Sequence, residues 1–467
     1  MTPSDRPSGS EDVNRPGDGN HPPYEPPHPA RHSVRLPLFQ LMAKARGSML
    51  EVWSESSFTT EVIELKLLVQ KLFVFNMPDA IQSVFITQAE AFERKTPQMR
   101  HALEALLGDG LFISDGLVWK ERRRVVQPVT HPSRMAELTP VMTEVALEWR
   151  SAWAARPDGA VVDALEEMGR FAAEVICRTI FGRGLGRDAA AEVVRSFAEY
   201  QAKIGNMDLI SLLGLPDFLP RWQGFRVGGS VRRIHAVVDR MIGSILDGGA
   251  GEGSLIASMA QGSGLTRAAF RNEAITLFMA GHETTANTLA WAWFLLSEAP
   301  WAEARMHAEL DAVLGGRAPV FEDLANLPYT RALIEETLRL FPPVPLLARR
   351  AARDTDVAGT AVPSGSIVMA APWVLHRHHR HWEAPDEFRP ERFLPGAPPP
   401  AKYTYLPFSL GPRVCTRQHF GLYEAMICLA TLASRFRLRP VEGHRAFPVS
   451  RLTLRPGERL LMALERR

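Results

Sequence analysis

One long apolar segment, from about Thr266 to Glu298, constrains the fold more than any other part of the chain. Thr266 can cap the N-terminus of a helix at this point, and Pro300 would end that helix. The most apolar stretch, residues 286–296, is flanked by Glu283 and Glu298, which argues against a membrane span. We therefore predict a buried central helix within a large, helix-rich body.

Helical patterns also dominate the rest of the chain. They cover residues 77–92, 114–128, 161–181, 301–314 and 327–341, and the segment after Cys415. Alternating apolar and polar residues, separated by Gly and Pro, predict one hairpin over residues 354–370 and a second over residues 451–465. The sequence thus predicts a mainly α fold with a small β lobe, and it contains no internal repeat.

The N-terminal residues 1–37 are rich in Pro, Gly, Ser and His and poor in apolar side chains. We expect a disordered tail there, followed by a single catalytic domain over residues 38–467. The apolar stretch from Val62 to Phe75 is interrupted by charged residues, so it predicts two buried strands rather than a membrane span. The sequence shows no signal peptide.

Composition narrows the class of protein. The formal net charge is +2, which gives no reason to expect a nucleic-acid partner. The three cysteines, Cys177, Cys415 and Cys428, are too few for a disulfide scaffold. Because reduced thiols are typical of the cytoplasm, we expect a cytoplasmic protein.

Cys415 lies between a loop containing Gly411 and Pro412 and the start of a predicted helix. The positive end of the helix dipole, together with Arg413 and Arg417, is expected to lower the pKa of the thiol and favour the thiolate. A thiolate can bind a metal or act as a nucleophile. An inert buried cysteine is the other possibility, and these residues alone leave all three open.

The middle of the long helix carries a second unusual group, formed by Ala280, Gly281, Glu283 and Thr284. Small residues leave room for a flat ligand, and an acid followed directly by an alcohol can relay protons into an apolar pocket. A threonine within a helix also tends to bond back to a carbonyl and to bend the helix. The same residues are equally compatible with a satisfied polar patch and close helix packing.

The segment "YLPFSLGPRVCTRQHFGLYEA" resembles the haem-binding loop of the cytochrome P450 family, of the soluble bacterial type. Phe408, Gly411, Arg413 and Cys415 stand at that family's Phe, Gly, Arg and Cys positions. The resemblance implies the cytochrome P450 fold, haem b as cofactor, and Cys415 as the axial ligand of the iron. A thiolate ligand pushes electron density onto iron and favours cleavage of the O–O bond. It also implies that Phe408 packs on the proximal side of the haem, while Arg413 pairs with a haem propionate.

The long helix resembles the oxygen-activation segment of the same family. The resemblance implies that Ala280 and Gly281 leave room for haem and dioxygen. It further implies that Thr284 manages protons and water at the oxygen and that Glu283 helps to supply those protons. Family members that use peroxide usually lack the threonine, so Thr284 favours reductive use of O2.

Two further segments fit the resemblance. Trp119 and Arg123 stand four apart on one face of a predicted helix, and the family places such a pair at the haem propionates. The resemblance implies a further propionate contact for Arg349. We expect Arg122 and Arg124 to lie on the exposed side of the same helix.

The pair Glu336 and Arg339 stands three apart, which in most proteins marks an exposed ion pair of little energetic weight. The resemblance instead implies a buried triad with Arg392 that supports the cysteine loop. A group of histidines invites a metal interpretation, but we assign it to a loop segment that the family carries. Its members are His376, His378, His379 and His381.

Two positions depart from the family pattern. Ser409 and Arg417 each stand where the family usually has glycine. The second of these glycines lets the following helix lie close to the porphyrin. We therefore expect Arg417 to point away from the haem or to shift the helix, and we consider it a candidate for docking an acidic redox partner.

The resemblance implies a monooxygenase that inserts one oxygen atom of O2 into a lipophilic small molecule, by hydroxylation or epoxidation. Its electrons would come from a separate ferredoxin or flavodoxin with its reductase. The substrate pocket is expected to use the segment after Phe92, residues near 200–230, Phe278, and Val344 to Leu347. Fatty acids, terpenoids and polyketides all remain open as substrates.

Two alternatives remain at this point. The first is a haem-thiolate peroxygenase, isomerase or ligand binder, which is motivated by Ser409 and Arg417. The second is a non-haem protein that uses Cys415 as a nucleophile.

Overall fold

The computed structural model describes residues 22–467, apart from residues 35, 68–69, 183–191, 193–194, 198, 201–222, 248–252 and 262. The helices are α1 (Leu38–Gly47), α2 (Pro78–Gln82), α3 (Pro97–Leu107), α4 (Gly116–Val129), α5 (Met135–Ala154), α6 (Ala164–Phe181), α7 (Gln223–Leu246), α8 (Leu255–Ala260), α9 (Arg267–Glu298), α10 (Pro300–Leu314), α11 (Pro328–Leu340), α12 (Pro372–Leu375) and α13 (Gln418–Ala433). The strands are β1 (Val62–Leu67), β2 (Gln70–Phe75), β3 (Ala160–Asp163), β4 (Leu347–Arg350), β5 (Thr355–Val357), β6 (Thr360–Val362), β7 (Ile367–Ala370), β8 (Phe436–Pro440), β9 (Val449–Ser450), β10 (Leu454–Arg455) and β11 (Leu461–Arg466). The predicted mainly α fold with a small β part is confirmed.

The longest helix, α9, is the predicted central helix. The Thr266 hydroxyl accepts a hydrogen bond from the N–H of Ala269 at 3.2 Å and so caps the helix. Most side chains of α9 are buried on all sides, and α6 packs along it. In its second half, the ring of Trp291 stacks on Phe341 with centroids 3.6 Å apart. A helix buried all round belongs in the core of a large body, as expected.

The main sheet has the strand order β1–β2–β7–β4. Strands β2 and β7 are parallel, whereas the other two pairings are antiparallel. The two strands predicted between Val62 and Phe75 are β1 and β2, and residues 72–75 of β2 are buried. The hairpin predicted over residues 354–370 is formed by β5 and β6, while β7 joins the main sheet.

The prediction of a second hairpin over residues 451–465 is wrong. Strand β10 pairs with β9, whereas β11 lies between β3 and β8. The helix predicted over residues 161–181 begins only at Ala164, because residues 161–163 belong to strand β3. The Asp163 carboxylate then caps α6 by accepting the N–H of Leu165 at 3.2 Å.

The N-terminal residues 22–34 lie against the body of the protein. Arg31 forms an ion pair with Asp386 at 2.5 Å. The prediction of a disordered tail over residues 1–37 is therefore wrong for this stretch, and residues 1–21 lie outside the described part of the chain. Among the described helices, none combines the length and the apolar character needed to cross a membrane.

Candidate active site

The loop before α13 holds Cys415 by backbone contacts. Its N–H donates to the carbonyl of Phe408 at 2.9 Å, and the N–H of Arg417 donates to its sulfur. Gly411 adopts φ +69°, and a Cβ there would overlap the carbonyl oxygen of Phe85. Only glycine fits this close approach, so the loop is pressed against the π-helical turn at residues 83–87.

The electrostatic prediction for Cys415 is only partly correct. Burial raises the pKa of the free thiol, whereas the N–H and guanidinium of Arg417 and the guanidinium of Arg123 lower it. Burial is the larger effect, so the positive surroundings alone do not produce a thiolate; a bound metal ion would. Protein surrounds the cysteine, yet its side chain is exposed, as an available ligand must be.

Arg417 points into the interior of the protein, which contradicts the expectation that it docks an acidic partner. Only 7% of the residue is exposed. Its Nη1 donates to the carbonyl of Leu277 on α9 at 3.1 Å, and its Cζ lies 4.0 Å from the ring centre of Phe420. Burial lowers the pKa of Arg417 to about 10, so it stays charged at neutral pH.

The small residues of α9 face two different neighbours. Ala280 is exposed although it lies on a buried helix, and the Thr284 hydroxyl donates to its carbonyl at 2.7 Å. Gly281 points elsewhere, because successive helical residues are 100° apart. A Cβ at Gly281 would meet the guanidinium of Arg417 and Cδ1 of Ile176. Thr284 makes the predicted bond to a helix carbonyl, whereas Gly281 makes room for Arg417.

The acid of the motif also faces away from Thr284. Glu283 is buried, and its carboxylate accepts a hydrogen bond from the hydroxyl of Thr453 at 2.6 Å. The same oxygen accepts hydrogen bonds from the guanidinium of Arg455, with Nε at 3.1 Å. Both partners come from the segment containing β10, a contact that no local sequence pattern indicates.

A cluster of cations lies beside the cysteine loop. Arg413 donates to the carbonyl of Ser114 at 2.8 Å and to the carboxylate of Asp115 at 3.1 Å. Its Cζ lies 4.4 Å from the ring centre of Trp119. Arg123 donates to the carbonyl of Val414 at 2.8 Å. Trp119, Arg123 and Arg413, which were predicted separately, thus lie together next to Cys415.

Arg349 and Lys95 complete this cluster, and the sequence interpretation missed Lys95. Arg349 is buried, and burial together with neighbouring Arg413 lowers its pKa to about 10. Part of Lys95 is exposed, yet burial and both guanidinium groups hold its pKa well below the usual range. Asp115 is the carboxylate that acts on all three cations, and it also pairs with Arg100. Positive charge therefore accumulates here.

A protein-family profile described as Cytochrome P450 matches residues 26–460. This chain belongs to the cytochrome P450 family. Cyclooctatin synthase of Streptomyces melanosporofaciens is 34% identical over 405 residues, which are 85% of this chain and 87% of that protein. Cyclooctat-9-en-7-ol 5-monooxygenase of the same organism is 34% identical over 72% of this chain and 74% of its own. The solved haem domain of cytochrome P450DA has a TM-score of 0.78 over 95% of this chain and 98% of that chain, and at 21% identity it shows the fold.

The protein is thus a haem-thiolate monooxygenase with haem iron as cofactor. As a P450 it uses O2, electrons from a redox partner, and a lipophilic substrate. The alternative of a non-haem protein with a nucleophilic cysteine does not hold.

The residues present fit a haem. Buried cations are costly unless anions compensate them, and haem propionates supply negative charge. Within the described residues, Nε of Arg413 has no hydrogen-bond partner, and it lies in this cluster. Trp119, Arg349 and Arg413 lie together in this cluster. These side chains, with Lys95, would hold the propionates, and the exposed sulfur of Cys415 would hold the iron.

The triad implied by the resemblance is present, and two of its members are completely buried. Glu336 and Arg339 are completely buried, and two parallel hydrogen bonds of 2.6 and 2.7 Å join them. Nε of Arg392 lies 3.6 Å from the same carboxylate. Arg339 also donates to the carbonyls of His376 and Pro385 at 2.8 and 2.6 Å, so the triad fastens α11 to the segment after α12.

The histidine segment makes backbone contacts. Nε2 of His376 accepts the N–H of Leu406 at 2.8 Å, which joins this segment to the residues that lead into the cysteine loop. His381 bonds to the carbonyl of Asn76 at 2.7 Å.

The expectation that Arg122 is exposed is wrong. Arg122 is 6% exposed and forms ion pairs with Asp109 at 2.8 Å and Glu273 at 3.5 Å, whereas Arg124 is exposed as expected. Glu273 also accepts the N–H of Leu111 at 3.0 Å, so it ties the loop after α3 to α9.

Three parts of the expected substrate pocket lie among the described residues, namely the segment after Phe92, Phe278 and residues 344–347. Phe278 is buried, with its ring centre 4.8 Å from that of Phe197 and 5.4 Å from that of His282. Residues 344–347 are half-buried apart from Pro345, which is buried. Most of the expected region near residues 200–230, namely 201–222, lies outside the described residues.

Proposed function

We propose that this P450 inserts oxygen into a lipophilic small molecule at a haem held by Cys415. The observation that carries this proposal is the cysteine itself. Its sulfur is exposed although protein surrounds it, it accepts the N–H of Arg417, and it lies beside a cluster of cations. A structural cysteine would instead be packed, as Cys177 and Cys428 are.

When bound, the haem supplies the reductive activation of dioxygen. We assign Thr284 the task of holding and moving a proton on the face of α9 that it shares with Ala280. Its hydroxyl now donates to the Ala280 carbonyl, and rotation about χ1 would free it for this task. Glu283 is assigned as the proton source, which requires its carboxylate to leave Arg455.

We assign propionate binding to Trp119, Arg123, Arg349 and Arg413, and packing on the proximal side to Phe408. The burial of Arg349 supports this assignment, because a buried guanidinium is stable only with an anion beside it and Asp115 also acts on Lys95 and Arg413. Ala280 is assigned contact with the haem. Gly281 is now assigned a different role, that of making room for Arg417.

For the substrate we propose a largely hydrocarbon, unsaturated alcohol. The support is the name of a relative, cyclooctat-9-en-7-ol 5-monooxygenase, which is 34% identical over 72% of this chain. The apolar residues near Phe278 are compatible with such a ligand. This proposal favours a cyclic alcohol over a fatty acid or a polyketide.

For the electron donor we propose a separate ferredoxin or flavodoxin with its reductase. Lys120 and Arg124 are exposed on α4, the helix that presents Arg123 to the cysteine loop, and they replace Arg417 as candidates for docking an acidic partner. We further propose a cytoplasmic location, because none of the three cysteines forms a disulfide.

The test is turnover of cyclooctat-9-en-7-ol under ¹⁸O2 with a ferredoxin, its reductase, NADPH and catalase. The proposal expects a product that carries one ¹⁸O atom and depends on NADPH. A product that forms only when hydrogen peroxide is supplied would instead favour a peroxygenase. Binding without any product under either condition, for this alcohol and for a panel of fatty acids, would favour a ligand-binding protein.

A further inference from the structure

Arg417 joins the cysteine loop directly to the central helix. Its backbone N–H donates to the sulfur of Cys415, while its side chain crosses to α9 and donates to the Leu277 carbonyl at 3.1 Å. One residue thus contacts both the axial ligand and the helix on the oxygen side. The glycine that the family usually has at this position offers the first contact but has no side chain for the second.

Gly281 makes this crossing possible. A Cβ at this position would overlap Nη1 of Arg417 and would lie 3.1 Å from its Cζ. Every residue other than glycine would therefore displace the guanidinium. Ala280 and Thr284 occupy a different face of α9, since Gly281 is rotated by about 100° from its neighbour. Arg417 thus reaches α9 without covering the face that carries Thr284.

The guanidinium of Arg417 acts as a buried charge. Its electrostatic partners are the sulfur of Cys415 and the carboxyl group of Glu424. Burial raises the pKa of Glu424 to about 8, so that carboxyl group is largely protonated at neutral pH. Its Oε2 accepts a hydrogen bond from Thr285 at 3.3 Å. The charge of Arg417 thus acts on both groups, in surroundings of low polarity where electrostatic effects are strong.

We propose that Arg417, seated against Gly281, is a positioning residue that fixes the cysteine loop to α9 and holds a permanent positive charge beside the axial thiolate. The charge weakens donation from sulfur to iron and favours the ferrous state, so it raises the reduction potential of the haem. This inference rests on the proposed ligation of the haem by Cys415. It explains why an arginine is tolerated where the family has glycine.

The first test measures the haem reduction potential of the holoenzyme by spectroelectrochemical titration. Arg417→Met removes the charge and keeps much of the side-chain volume. We expect the ferrous-to-ferric ratio at a fixed potential to fall about tenfold, which for a one-electron couple is a shift of about 59 mV to more negative values. Arg417→Lys keeps the charge and is expected to recover most of the shift.

The control is Arg178→Met, which removes a mostly buried arginine whose partners are Glu144, Glu148 and Glu174. We expect its potential to equal that of the wild type. Equal potentials in the wild type, Arg417→Met and Arg178→Met would overturn the proposed electrostatic role.

A double-mutant cycle tests the contact between Gly281 and Arg417 through thermal unfolding of the haem-loaded protein. Gly281→Ala is expected to lower the melting temperature in the wild type, and much less so in an Arg417→Gly background. Equal effects in the two backgrounds would overturn the proposed contact. If Arg417→Gly does not fold, the same comparison is made in an Arg417→Ala background.

The reduced carbon-monoxide spectrum of the wild type distinguishes a failure of the proposed function from a failure of the role proposed for Arg417. If the wild type lacks the signature of a thiolate-ligated haem, the proposed function fails and this inference fails with it. If the signature is present but neither the potential nor the cycle responds to Arg417, only this inference fails.

Discussion

The carboxylate of Glu283 is paired with the guanidinium of Arg455, which reaches the central helix from strand β10. Thr284 is the next residue along α9, yet its hydroxyl donates to the Ala280 carbonyl on a different face. The acid and the alcohol of the motif therefore have separate partners. Transfer of a proton from one to the other requires the ion pair with Arg455 to open first.

If Glu283 supplies protons, Glu283→Gln should lower the rate of product formation about 10²-fold while substrate binding, followed by the shift of the haem spectrum, stays unchanged. Arg455→Met should lower the stability by about 2 kcal/mol, because it leaves a buried carboxylate without its cation. Chemical denaturation and steady-state turnover measure the two effects. Unchanged turnover in Glu283→Gln would remove this residue from the proton supply.

Thr284→Ala removes the hydroxyl that we assign to proton transfer. We expect product per NADPH to fall about 10²-fold, and peroxide to appear instead, because protons reach the oxygen without control. Thr284→Ser should restore most of the yield. The matched control is Thr288→Ala, one turn along α9, whose hydroxyl donates to the Thr284 carbonyl at 2.9 Å. A similar loss of yield in that control would show that only helix geometry matters.

The buried pair Glu336–Arg339 and the pair Arg331–Glu335 lie on the same helix, which gives a matched comparison. Glu336→Gln should lower the free energy of unfolding by about 3–5 kcal/mol, because it leaves Arg339 charged and buried without its partner. Glu335→Gln should cost less than about 1 kcal/mol, since Arg331 is half exposed. Equal losses in urea denaturation would contradict the structural role of the triad.

Glu273 predicts a dependence of stability on pH. Burial raises its pKa to about 7, above the ordinary value of 4.5. The unfolded chain therefore loses this proton at lower pH than the folded protein does. The contribution of Glu273 to stability falls as the pH rises from about 4.5 to about 7, by up to about 3 kcal/mol.

Glu273→Gln should remove that slope when urea denaturation is compared at pH 5 and pH 7.5. Glu137 serves as the opposite control, because hydrogen bonds from Arg134 lower its pKa. Its contribution is lost as the pH falls, so Glu137→Gln should make the protein less sensitive to acid. An unchanged slope in Glu273→Gln would show that this carboxyl group does not titrate in the folded protein near neutral pH.

The sequence predicted the features that depend on local patterns. The central helix, its cap at Thr266 and the end at Pro300 follow from neighbouring residues, and the structure has them. The triad of Glu336, Arg339 and Arg392 followed from a family resemblance, since the i, i+3 spacing alone would fit an exposed pair. For such features, sequence and structure agree.

Contacts between distant segments could not be predicted in this way. Arg417 was considered a candidate for docking a partner, because nothing near it in the sequence shows that Gly281 leaves space for its guanidinium in the interior. Lys95 and Arg122 belong to buried charge clusters whose other members are remote in the chain. Strand β11 pairs with β3, about 300 residues earlier in the sequence, so the turn-like residues before it suggested a local hairpin instead.

The backbone conformation of Ser409 is unfavourable, which the sequence does not reveal. The family usually has glycine there, and Ser409 adopts φ +59°, which an L-residue with a Cβ adopts at a cost of about 1–2 kcal/mol. The hydroxyl is also buried, and among the described residues it has no hydrogen-bond partner. The loop keeps its shape because Gly411 lies against the Phe85 carbonyl and the Cys415 N–H donates to the Phe408 carbonyl.

The central claim is that Cys415 is the axial ligand of a haem, and the reduced carbon-monoxide difference spectrum tests it most directly. The wild type should give the strongly red-shifted Soret band of a thiolate-ligated haem, and Cys415→Ser should lose that band. A wild-type band typical of histidine or neutral ligation, or the absence of any haem band, would contradict the claim.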